Sequence, residues 1–141
     1  MRIFTPNPEI LLHARSDPPY AETLRSADLA LPDGTGVAVI ESLRAGRRVR
    51  RWPGVEIGEL LMGIAAEHDL LVAFVGGAGG VAERAAAHWR RRLPAVRIAA
   101  AGDGVAISED GLVEPAGDDS DLTGAIASFA PAIVLVGCYY G

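Results

Sequence analysis

The run LLVAFV, Leu70 to Val75, is apolar at every position. A strand with one wet face alternates apolar and polar residues. A run with no polar residue suits a strand covered on both faces, the usual state of a parallel strand between helices. It ends in GGAGG, after which Val81 to Leu93 reads as an Ala-rich helix. Val96 to Ala101 and AIVLV, Ala132 to Val136, are further strand candidates. Earlier in the chain, Arg2 to Thr5 and the buried run Asp28 to Leu31 read as strands. Helices are expected at Pro8 to Arg15, Tyr20 to Ser26, Val37 to Leu43, Val55 to Glu67 and Asp121 to Phe129, and the polar stretch after Ala101 has room for a small hairpin. Strands alternate with helices throughout. The expected fold is therefore α/β and Rossmann-like, a mainly parallel sheet flanked by helices.

Open α/β sheets bind ligands beyond the carboxyl ends of their strands. Four segments fall at such ends: TPN, PDG, GGAGG and GDG. GGAGG opens a helix and offers backbone N–H groups to a phosphate, or is a tight turn that needs glycine for positive φ. Asp33 in PDG is a turn residue or cap of the following helix, or an acid or base held at a cleft. Thr5 and Asn7 are pocket residues or caps for the helix that starts at Pro8. Arg47, Arg48, Arg50 and Arg51 form a solvated loop, or a surface for phosphate or anionic lipid. Arg90, Arg91 and Arg92 sit at a helix C-terminus, where the dipole favours them.

Composition narrows the classes. At 141 residues, the chain is sized for one domain. Its net charge is −5, with thirteen basic residues that are all Arg, so no global field draws nucleic acid. Cys138 is the only cysteine, which excludes a disulfide framework and a thiolate metal site. His13, His68 and His88 have no ligand spacing, and no metal is expected. MRIFTPNPE lacks the apolar region of a signal peptide. The longest apolar run, Leu70 to Ala82, is too short to cross a bilayer as a helix. A cytoplasmic protein is expected, with contact at the inner membrane face left open.

TPNPEILLHAR, ADLALPDGTGV, RWPGVEIGELL and FVGGAGGVAERAA occur in that order, followed by PAIVLVG. Together they resemble the WecG/TagA/CpsF family of bacterial glycosyltransferases, from Phe4 to Gly137. The resemblance implies inverting, metal-independent transfer of N-acetylmannosamine or a related hexose. The donor would be a UDP-sugar and the acceptor a lipid-diphosphate-linked sugar, in cell-surface polysaccharide or teichoic acid synthesis. It implies no cofactor. Asp33 matches the proposed catalytic base, a carboxylate that takes the acceptor hydroxyl's proton. Thr5 and Asn7 match a pair that lines the sugar pocket, and Arg51 matches an arginine suited to diphosphate charge. Gly76, Gly77 and Gly79 match the nucleotide-side loop.

The chain departs from the family pattern at three places. Glu56 replaces an Asp. Asp103, counted among the substrate-binding candidates, stands where the family has His. Cys138 to Gly141 replace the family's continuation, so a single domain over 1–141 is expected, shortened at both ends and without the C-terminal appendage. Two rival readings remain. One is a truncated, non-catalytic UDP-sugar-binding remnant. The other is an NAD-binding oxidoreductase domain, since Gly77, Gly79 and Ala82 satisfy G-x-G-x-x-A, although Asp103 lies beyond the expected place for a ribose-binding acid. Homo-oligomerisation is left open.

Overall fold

The computed structural model describes residues 1–76, 80–100, 106–107, 113–114, 124, 126–128, 130–137 and 139–140. Gly77, Gly79, Asp103 and Cys138 lie outside the described residues, as does most of the helix expected over 121–129. The chain forms two compact units, Met1–Gly58 and Glu59–Gly141.

In the first unit, β1 (Ile3–Phe4) pairs in parallel with β2 (Leu29–Ala30), Ile3 opposite Leu29 and Phe4 opposite Ala30. Two short helices connect them, α1 (Pro8–Ser16) and α2 (Pro18–Arg25). Each has Pro in its first turn, where no amide donor is lost, and a side-chain cap before it. Asn7 Oδ1 accepts from Ile10 N at 2.8 Å, and Asp17 Oδ1 accepts from Tyr20 N at 2.9 Å. Helix α3 (Thr35–Ala45) follows β2 and stops at Gly46, whose left-handed φ of 62° reverses the chain. The sequence suggested a buried second strand. Leu29 is instead 43% exposed, since among the described residues β2 pairs with β1 alone.

The second unit is built around β3 (Leu71–Gly76). It pairs in parallel with β4 (Arg97–Ala100) on one side and β7 (Ile133–Gly137) on the other. The all-apolar run thus lies at the centre of a three-stranded parallel sheet, with Val72, Ala73 and Val75 buried. Helix α4 (Gly54–Glu67) sends Met62 and Ala65 into a core with Val72 and Val96. Helix α5 (Val81–Arg92) buries Ala82 and Ala86. Two residues each from β5 (Ala106–Ile107), β6 (Val113–Glu114) and β8 (Tyr139–Tyr140) make a separate small sheet, in which β5 and β6 are the expected antiparallel hairpin. Parallel sheets flanked by helices make this an α/β, Rossmann-like fold. Among the described residues, no helix is long and apolar enough to cross a membrane.

Gly76 closes β3 with a φ of 104° opposite Gly137, and a Cβ there would run into the Gly137 backbone carbonyl. Its glycine is required by strand approach, whatever else it binds.

Candidate active site

Because β1 and β2 are parallel, the segments that leave them emerge side by side. Leu31 N donates to Phe4 O at 2.9 Å, and Asp33 N donates to Pro6 O at 3.0 Å, so the pairing continues beyond the strands. This brings Thr5-Pro6-Asn7 against Pro32-Asp33-Gly34. Gly34, with a φ of 103°, turns the chain into α3. A Cβ on Gly34 would stand 3.2 Å from Pro8 Cδ, a second reason for glycine there.

A third segment closes on these two. Trp52 N donates to Pro32 O at 2.8 Å. Gly54 N donates to Asp33 Oδ2 at 3.2 Å, across 21 residues of sequence. A Cβ on Gly54 would come within 2.9 Å of Thr5 Oγ1, so this turn lies directly against Thr5. Thr5, Asp33 and Gly54 therefore meet at one junction, and Trp52 to Gly54, which lie in the RWPG motif but carry no predicted site role, contribute to it. Their signal was Pro53-Gly54 just ahead of the apolar spacing of Ile57, Leu60, Leu61 and Ile64, the mark of a helix start.

Asp33 does not cap the helix that follows it. Gly34 occupies the N-cap position of α3, which has no side-chain cap bond. The Asp33 carboxylate instead reaches the first residue of α4, whose N-terminal end attracts negative charge. Asp33 is half-buried, and no cation among the described residues forms an ion pair with it. One backbone N–H holds Oδ2. That is an oriented carboxylate able to accept a proton.

Asn7 lies in the same segment but spends Oδ1 on capping α1. Arg51 is exposed and lines a cavity of about 580 Å³ with Arg48, Val49, Arg50 and the α3 residues Thr35, Val39 and Leu43. Arg50 lies over the Trp52 ring, 4.3 Å from guanidinium carbon to centroid, and pairs with Glu56 at 3.8 Å. Glu56 is thus an ion-pair partner on the first turn of α4. Among the described residues, no three His, Cys, Asp or Glu side chains cluster as metal ligands.

Residues 1–138 match the model of the glycosyl transferase WecG/TagA/CpsF family. A Bacillus spizizenii (strain W23) protein named N-acetylglucosaminyldiphosphoundecaprenol N-acetyl-beta-D-mannosaminyltransferase is 31% identical over 138 residues, 98% of this chain and 50% of that protein. A Bacillus subtilis (strain 168) protein of the same name is 30% identical over 102 residues, 72% of this chain and 40% of that protein. The chain spans about half the length of the curated relatives it matches. With a match over nearly all of its residues, the chain belongs to the WecG/TagA/CpsF family of glycosyl transferases.

Proposed function

We propose that this chain carries the catalytic base of an inverting, metal-independent glycosyltransferase. The reaction is transfer of N-acetylmannosamine, or a related hexose, from a UDP-sugar to a lipid-diphosphate-linked sugar. The names of the Bacillus relatives supply the transferred sugar and the acceptor class. The single observation that carries the reading is the hydrogen bond from Gly54 N to Asp33 Oδ2, which orients a carboxylate at the meeting point of three loops.

The acceptor hydroxyl oxygen attacks the anomeric carbon of the donor. A new carbon–oxygen bond forms, the bond from that carbon to the UDP β-phosphate oxygen breaks, and UDP leaves with the electron pair. The hydroxyl proton passes to the Asp33 carboxylate, so acceptor and leaving group exchange without a covalent enzyme intermediate. Thr5 and Asn7 face the sugar in this reading. Arg51 offsets diphosphate charge, a form of stabilisation that favours departure of UDP. Gly76, Gly77 and Gly79 are assigned to the nucleotide side of the substrate, and Asp103 to substrate binding on the acceptor or donor side.

The test is transfer from UDP-N-acetylmannosamine to a short-chain lipid-diphosphate N-acetylglucosamine acceptor, with EDTA present. Product with inverted anomeric configuration, and a melting temperature raised by UDP but not by NAD, are the expected results. Loss of activity with EDTA and its return with manganese would overturn metal independence. A melting temperature that responds to NAD and ignores UDP would overturn the donor.

A further inference from the structure

Helix α3 has an unusual cross-section. Its inner side holds Val37 and Ala38, both buried. Its outer side is also apolar: Val39 is 53% exposed, Ile40 58% and Leu43 79%. Residues 39 and 43 are one turn apart and 40 lies beside them, so the three form a continuous stripe. An outer helix face normally carries charge, and a patch of large apolar side chains marks an interaction surface.

The segment after α3 supplies the second half of the surface. Arg44, Arg47, Arg48, Arg50 and Arg51 are five of the chain's thirteen basic residues within a net charge of −5. Gly46 turns the chain back on itself. Ser42 then fixes its course, donating from Oγ to Ala38 O at 2.6 Å and accepting from Val49 N at 2.9 Å. The basic segment consequently runs back along α3, and Arg48, Arg50 and Arg51 share a cavity with Val39 and Leu43. Arg50 is engaged by Glu56 and Trp52. Arg44, Arg47, Arg48 and Arg51 are exposed and have no carboxylate partner among the described residues.

We propose that the outer face of α3 and the arginine segment 44–51 form a docking surface for an anionic lipid bilayer. Apolar side chains that enter the acyl boundary, next to arginines at headgroup level, are what an interfacial surface requires. The charge argument selects this occupant. Four exposed arginines with no carboxylate partner among the described residues, set beside an exposed apolar stripe, complement the negative headgroups and the acyl boundary of an anionic leaflet. The same surface begins at Thr35 and ends at Arg51, within two residues of Asp33 and beside Trp52, so docking brings the junction at Asp33 to the membrane. Vesicle binding is read without turnover, so this inference stands or falls apart from the transferase reading.

The experiment is co-sedimentation of the full chain with vesicles of phosphatidylcholine alone or mixed equally with phosphatidylglycerol. Binding to the anionic vesicles is expected to be roughly tenfold or more tighter, and to fade as salt rises toward ~0.5 M. Arg47→Glu with Arg48→Glu should weaken it by roughly tenfold or more. Ile40→Ser with Leu43→Ser should weaken it on both vesicle types. Both double variants alter exposed positions, and unchanged circular dichroism melting verifies the fold. Equal binding to neutral and anionic vesicles, or variants that bind like the parent, would overturn the proposal. So would a parent dimer that the Ile40→Ser, Leu43→Ser variant dissociates while vesicles bind neither protein.

Discussion

The two units of this chain are held together by different means. In Glu59–Gly141, Met62, Ala65, Val72 and Val96 form a core against a three-stranded parallel sheet, with Leu70, Phe74, Trp89 and Ile133 packed around it. In Met1–Gly58, the only buried hydrophobic residues among those described are Ala21, Val37 and Ala38. Its loops are tied instead by hydrogen bonds that backbone amides donate, Asp33 N to Pro6 O, Trp52 N to Pro32 O and Gly54 N to the Asp33 carboxylate. One unit is organised by packing and the other by polar contacts between loops. The candidate chemistry lies in the second kind of structure, where a carboxylate can be oriented without being sealed from water.

This contrast can be broken by mutation. The largest effect is expected in the packed unit. Met62 is fully buried, so Met62→Ala should cost ~2–5 kcal/mol of stability, measured by urea unfolding. Next comes Gly76→Ala, which forces an L side chain into a positive φ and against the Gly137 backbone; a loss of at least ~2 kcal/mol is expected. A mild effect at both sites would mean that the sheet does not organise the second unit.

In the first unit, stability and activity should separate. Gly54→Ala pushes on the Thr5 hydroxyl, 2.9 Å from the new Cβ, and leaves the buried residues untouched. Its melting temperature should move little. Transfer should fall by roughly 10- to 100-fold, the scale of a small misplacement in a reacting site. Unfolding in step with lost transfer would instead make the loop junction a structural clamp.

How much of this was legible in the residues depends on the distance over which each feature is specified. The central strand could be read because Leu70 to Val75 carry no polar residue, and α1 because Asn7 and Pro8 form a cap and a first turn. Those are local signals. The exposure of Leu29 could not be read, since an apolar run does not say how many strands will lie beside it. Val37 to Leu43 identified α3, but the wet outer face of Val39, Ile40 and Leu43 depends on which neighbours arrive. Asp33 was singled out by its place at a strand end and by family resemblance. Its partner was hidden: Gly54 donates a backbone N–H, which no side chain advertises. Thr5 was marked by the same resemblance, and its approach to Gly54 appears only in three dimensions.

The central claim is that Asp33 accepts the acceptor's proton, and Asp33→Asn tests it most directly. Asparagine keeps an oxygen that can accept from Gly54 N, so the loop junction, folding and UDP binding should survive. What it removes is basicity. Turnover of the variant, relative to the parent and at saturating donor and acceptor, should fall by roughly 100-fold or more. A turnover ratio near one, with both proteins folded and binding UDP alike, would contradict the account and leave Asp33 as the tie between two loops.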